Sequence, residues 1–267
     1  MVDWDLGRLM SSRINYKACP LCRSGNIAPI GTADCSKHPL YVPAIPAEIT
    51  WCRCAQCEHV FTEGYFTPDV ATEVFAKSNP HQRVGANLEN QRPISARMIE
   101  KVLAFMDEGD WLDVGFGNGS LLFTAEEYGF SPVGIDLRPE NVAMLQEFGI
   151  EAHCLDVAEL GCPERFSVVS MADVLEHMPF PVESLTAVRR LLRPGGILLL
   201  SMPNSDSALW KALEKNKSNP YWAELEHYHN FGRARLYRLL RDTGFEPSRY
   251  GISERYRVCT EIIARKR

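Results

Sequence analysis

From residue 111 onward, apolar residues come in short runs that close on an aspartate or a glycine and alternate with stretches of helical period. Runs at 111–114, 131–135, 151–155, 166–172 and 197–200 have the length of buried strands. Helical stretches follow at 120–128, from Pro139, at 182–192 and at 233–243, and another at 94–106 precedes the first run. Two further strands are expected after Phe245. Strands alternating with helices imply right-handed βαβ units, hence an α/β fold with a parallel sheet. Such a sheet binds ligands outside the carboxyl ends of its strands.

The residues at those ends carry the chemistry. Residues 111–119 read Trp-Leu-Asp-Val-Gly-Phe-Gly-Asn-Gly, so Asp113 opens into Gly115, Gly117 and Gly119. Glycine lets backbone approach a ligand and tolerates positive φ. The dinucleotide fingerprint would need its third glycine where Ser120 stands, so that reading fails by one residue. Asp136 closes the next run, where a nucleoside ribose acceptor sits, and it also suits an N-cap for the helix begun at Pro139. Asp156 and Asp173 close the third and fourth runs, and residues 191–196, Leu-Leu-Arg-Pro-Gly-Gly, lead into the fifth.

This series of strand-end acids, Gly-x-Gly-x-Gly loop and Leu-x-Pro-Gly-Gly turn resembles class I S-adenosylmethionine (SAM)-dependent methyltransferases over roughly residues 90–267. The resemblance implies a Rossmann-like fold, parallel strands with an antiparallel C-terminal hairpin strand, and SAM as cofactor. It implies a cofactor site of Asp113, Gly115, Phe116, Gly117 and Gly119, then Asp136 with Leu137, Asp156 with Val157, and Ala172 with Asp173. Asp156 would meet the adenine amino group.

Composition adds a second unit. A chain of 267 residues with 45% hydrophobic and 24% charged residues has room for one large domain and a small one. No apolar run reaches the ~18 residues of a membrane span. The first residues show no basic stretch followed by an apolar core, so a cytoplasmic protein with reduced thiols is expected. A net charge of −5 speaks against a nucleic-acid partner. Among nine cysteines, Cys19 and Cys22, and Cys54 and Cys57, form two Cys-x-x-Cys pairs, the usual thiolate set for structural Zn2+. Cys52 and His59 flank the second pair as substitute ligands. Residues 1–62 therefore read as a zinc-ribbon-like module, 63–90 as a connecting segment with a helical patch at 70–76, and 91–267 as the methyltransferase domain.

Methyl transfer is an in-line displacement at carbon, and a base is needed only where the nucleophile must lose a proton. His177 follows the fourth strand, and His227 and His229 lie beside Tyr221, Trp222 and Tyr228; these three histidines are the candidate bases. Similar sequences in quinone-type O-methyltransferases suggest instead that Asp173, Glu176 and His177 bind a divalent ion. A cysteine module joined to a Leu-Glu-His core resembles enzymes of surface-polysaccharide and deoxysugar pathways, implying a small polar acceptor such as a sugar or nucleotide-sugar. The Cys-Pro-Leu-Cys module also resembles ribosomal RNA guanine methyltransferases, and a SAM-binding scaffold without catalysis is the reading from another class.

Overall fold

The computed structural model describes residues 12–43, 45–76 and 80–267; the first eleven residues of the expected module and Asn79 of the connecting segment lie outside them. Strands β1 (Arg13–Asn15), β2 (Ile27–Asp34), β3 (Glu48–Cys54), β4 (Val60–Thr62) and β5 (Gly64–Phe66) come first, then helices α1 (Pro68–Ala76) and α2 (Leu88–Leu103). The expected α/β alternation follows: β6 (Gly109–Val114), α3 (Ser120–Glu127), β7 (Phe130–Ile135), α4 (Pro139–Glu147), β8 (Glu151–His153), β9 (Phe166–Ala172), α5 (Pro181–Leu191) and β10 (Leu192–Pro203). The chain closes with α6 (Ala208–Lys215), β11 (His229–Asn230), α7 (Arg233–Asp242), β12 (Phe245–Ile252) and β13 (Cys259–Lys266).

Seven strands form the main sheet in the order β12-β13-β10-β9-β6-β7-β8. The run from β10 to β8 is parallel, while β13 pairs antiparallel with β10 and with β12. Because β7 lies on one side of β6 and β9 on the other, the loops leaving β6 and β9 diverge and open a crevice at the carboxyl edge. All seven residues of β9 are buried, as expected of a central parallel strand covered on both faces. Trp111, Val168, Ile197 and Leu199 face α2, α3 and α4, packing with Met98, Leu122 and Leu145. Leu112, Val169, Leu198 and Leu200 face α5 and α7, packing with Val188, Leu191, Leu236 and Leu240. No helix among the described residues is long and apolar enough to cross a membrane.

A smaller sheet has the order β11-β4-β3-β2. It joins three N-terminal strands to His229 and Asn230, which pair antiparallel with Phe61 and Val60. The sheet thus crosses between the N-terminal segment and the chain beyond residue 91. The contact is apolar as well: Tyr16, Cys19, Leu21, Cys52, Cys54 and Phe61 share a core with the α5–α7 face of the main sheet. Helix α2 starts before the expected residue 94 and carries Pro93 in its second turn, where only the Glu89 carbonyl loses a helical donor. Asp136 is not the N-cap of α4; Arg138 is, with no side-chain cap bond.

Candidate active site

Strand β6 delivers Asp113 to the carboxyl edge and turns at three left-handed glycines, with φ of 67° at Gly115, 56° at Gly117 and 77° at Gly119. A β-carbon at Gly115 would sit 3.0 Å from Val174, and one at Gly119 would sit 2.9 Å from the Phe123 ring. At Gly117 it would meet nothing within 4 Å, so this turn faces open space where a ligand can lie against bare backbone. Phe116 is buried and would be the first atom met by a side chain at Gly134, so its ring supports the loop from below.

Three carboxylates line neighbouring strand ends. Asp113 accepts a hydrogen bond from Ser170 Oγ at 2.6 Å. Burial raises its carboxyl to about 7, against the pull of the Ser170 bond and of Arg255, while the charge of Asp136 adds to the rise. Asp136 takes the Arg138 guanidinium on both oxygens, at 2.8 and 2.7 Å, and the Arg138 backbone N–H at 3.0 Å. Asp173 sits at φ 59°, and its Oδ1 accepts from Ser201 Oγ at 3.0 Å. Its Oδ2 accepts no hydrogen bond and lies 3.5 Å from Arg255 Nε. Beside them, Ala172 offers its carbonyl to Arg255 Nη1 at 3.3 Å. Leu137, next to Asp136, is an apolar side chain left 59% exposed. Asp156 is exposed after β8, accepting from the Ala158 N–H, and Val157 is buried. Arg138 and Arg255 thus offset two of these acids. Arg255, from the β12–β13 loop, carries no motif that could have marked it in the sequence.

The second half of the site follows β9. A 3₁₀ turn at Leu175–His177 buries Glu176 to 1% exposure. Its backbone carbonyl accepts from the Tyr228 N–H at 2.8 Å, while its Oε2 is buried with no hydrogen-bond partner. Burial, with the charges of Asp173 and Glu226, pushes the Glu176 carboxyl well above the usual range. His177 Nδ1 lies 3.1 Å from the Glu226 carbonyl. A carbonyl only accepts, so Nδ1 carries the proton and Nε2 keeps a lone pair. The His227 ring stands edge-on to His177, with centroids 4.7 Å apart, and its Nδ1 is buried without a partner. Burial and the neighbouring histidines hold His227 well below its ordinary pKa. Ligand atoms of Glu176, His177 and His227 lie within 4.8 Å of one another. His227 thus stands where the sequence suggested Asp173, whose oxygens instead turn to Ser201 and Arg255.

His229, the third candidate base, is set apart. Its Nε2 donates to the Met178 carbonyl at 2.9 Å, so its Nδ1 accepts from His59 Nε2 at 3.1 Å. Both nitrogens are occupied, and burial drives its pKa to about 3. A nearby trio of His38, Glu224 and Glu226 looks like a ligand set but has a simpler account. The Leu40 N–H donates to His38 Nδ1 at 3.2 Å, so the Nε2 proton serves Glu224 at 3.0 Å and no lone pair remains there for a metal.

The two cysteine pairs meet in one cluster. Cys19 and Cys57 sulfurs are 3.6 Å apart, Cys22 and Cys54 sulfurs 3.5 Å, and all four lie within 4.8 Å. Zinc–thiolate bonds of about 2.3 Å in a tetrahedron set sulfurs about 3.8 Å apart, so the donor set fits Zn2+. The two knuckles repeat each other: Arg23 and Glu58 directly follow the second cysteine, at φ 61° and 60°. Their N–H groups donate to the Cys19 and Cys54 carbonyls, each at 2.9 Å. Burial opposes ionisation of Cys54, but bonds from the Cys57 and Gln56 backbone and the Cys22 thiol bring it down to about 7. Cys52 lies outside the cluster, opposite Phe61 in the sheet, and His59 serves His229.

Residues 88–249 match the family described as "Methyltransferase domain". The ubiquinone biosynthesis O-methyltransferase of Leptothrix cholodnii is 29% identical over 174 residues, spanning 60% of this chain and 73% of that protein. The enzyme of the same name from Cereibacter sphaeroides is 30% identical over 154 residues, spanning 51% of this chain and 60% of that one. The fold is shared with the 1,6-didemethyltoxoflavin-N1-methyltransferase of Burkholderia thailandensis, solved with bound S-adenosylhomocysteine: TM-score 0.52, 23% identity, 67% of this chain and 79% of that one. With its match covering more than half of the sequence, the chain belongs to the methyltransferase-domain family and is a SAM-dependent methyltransferase.

Proposed function

We propose that the enzyme methylates a hydroxyl of a small acceptor of the quinol type, and that Glu176, His177 and His227 hold a divalent cation where that hydroxyl binds. One observation carries the reading: Glu176 Oε2 and His227 Nδ1 are buried without partners, in a cluster with the His177 ring. Buried polar atoms are nearly always satisfied, so orphans on two residues that cluster with the imidazole of a third suit a ligand set. The names of the relatives support the acceptor class. A sugar hydroxyl presents the same nucleophile, but the sugar expectation has only its sequence resemblance behind it.

Bound SAM supplies the activated methyl group, and a cation at Glu176, His177 and His227 would lower the pKa of the acceptor hydroxyl. The chain supplies the rest. The glycine loop, Asp113 and Asp136 hold the cofactor, with Leu137 against its base. Glu226 and Tyr228 fix the His177 turn through their backbones. The geometry also favours a second reading, in which no ion binds and His177 Nε2, its lone pair fixed by the Glu226 carbonyl, takes the proton directly. Turnover of labelled SAM on a panel of catechols, quinols and nucleotide-sugars, with Mg2+, Mn2+ or chelator, tests both. Methylation of quinols lost on chelation, with the zinc content of the protein intact, is the expected result. Transfer only to nucleotide-sugars would overturn the acceptor class, and chelator-resistant transfer to quinols would favour the base.

A further inference from the structure

We propose that the cysteine module is part of the framework of the acceptor site, with His59 as the positioning residue for His177 and His227. The module meets the two catalytic segments through their backbones. Thr62 N–H donates to the Tyr228 carbonyl at 2.9 Å, Tyr16 Oη to the Pro179 carbonyl at 2.8 Å, and Arg13 to the Leu225 carbonyl at 3.0 Å. At the centre stands a two-histidine relay. His59 Nε2–H donates to His229 Nδ1, and His229 Nε2–H donates to the Met178 carbonyl. Met178 directly follows His177, and His229 lies two residues beyond His227, so one relay ties together both segments that bear the pair. The relay is buried, with the His59 ring stacked on Phe61 and packed on Phe231, while His59 Nδ1 has no hydrogen-bond partner. Remove the His59 donor and the buried His229 Nδ1 is left without a partner, so the ring loses the contact that aims its Nε2–H at the Met178 carbonyl. The His177 turn then loses its restraint on the module side.

The inference rests on the proposed role of His177 at the acceptor site, but its test does not need an ion or an acceptor. In the zinc-loaded full chain with 15N-labelled histidine, ring-nitrogen NMR should show His177 as one Nδ1–H tautomer. His59→Leu should leave S-adenosylhomocysteine affinity within about twofold, showing an intact cofactor half, and convert the His177 signals to a tautomer average. His59→Gln, whose side-chain amide can donate to His229 Nδ1, should restore the single tautomer. Should His59→Leu fail to fold, Tyr16→Phe, which removes only the hydroxyl at Pro179, should give the same change at smaller amplitude. Unchanged His177 signals in a folded His59→Leu protein, or in Tyr16→Phe where that is the variant available, would overturn the proposal. A parent protein that binds no Mn2+ while His177 still responds to His59 would sink the cation reading and leave this one standing.

Discussion

The two halves of the proposed active site are built on different principles. The cofactor half is local: Asp113, the three glycines and Asp136 fall within two consecutive strands and one turn, held by the β6–β7 ladder. The acceptor half is assembled from far apart in the chain. Glu176 and His177 follow β9, His227 precedes β11, and both are pinned by residues between 13 and 62. A local site needs only its own backbone geometry, whereas an assembled site inherits the stability of every piece that supports it. The cofactor half should therefore survive insults to the module, and the acceptor half should not.

Stripping the module is expected to have the largest effect. Structural Zn2+ in small modules contributes an apparent 10–16 kcal/mol of binding energy, roughly, which is folding energy. Cys54→Ser or metal removal should abolish methyl transfer while S-adenosylhomocysteine affinity, measured by calorimetry, changes less than about tenfold. Equal loss of both would erase the distinction between the halves. Gly117→Val makes the converse break. A branched residue at φ 56° is strained and points its side chain into the ligand space, so affinity should fall at least tenfold, about 1.4 kcal/mol, with the module's zinc content unchanged.

A smaller effect concerns pH. The folded-state pKa of Asp113 is raised from 3.8 to about 7. Its contribution to apoprotein stability is fully present below 3.8 and declines as pH rises through about 7, by about 1.4 kcal/mol per unit across that window. Binding of a cationic ligand should run the other way, tightening several-fold between pH 6 and pH 8 and releasing a proton near pH 7. Asp113→Asn should stabilise the apoprotein at pH 8 and flatten the affinity profile; an unchanged profile would remove Asp113 from the cofactor site. The least effect is expected of Arg255→Ala, a loss of a few-fold in cofactor or acceptor KM, since its contacts at 3.3 and 3.5 Å are long and its side chain is 35% exposed.

The same contrast sets what could be read from the sequence. The runs at 111–114 and 131–135 sit almost on β6 and β7, because buried parallel strands are continuous apolar runs and their turns are marked by glycine and aspartate. Strand β10 begins at Leu192 rather than 197 because Leu192 pairs with Phe166, and the register shifts before Ile197. Residues His229 and Asn230 form a strand of two, too short for any periodicity, whose pairing depends on Phe61 and Val60 far upstream. That pairing is what separates His229 from His177 and His227, and spacing along the chain carries no trace of it. The four cysteines were legible because thiolate knuckles are a local pattern. The role of His59 beside them was not, since its partner is 170 residues away.

The hydrogen bonds of Arg13 and Thr62 and the β4–β11 pairing hold the 222–231 segment against the module. Hydrogen–deuterium exchange with and without zinc reads this segment by segment. With Zn2+ held at the proposed four-cysteine site, its removal is expected to release protection at 222–231 and 175–180 while the β6–β7 region, 109–136, keeps its protection. Undiminished protection at 222–231 in a zinc-free protein whose residues 13–62 have exchanged freely would contradict it.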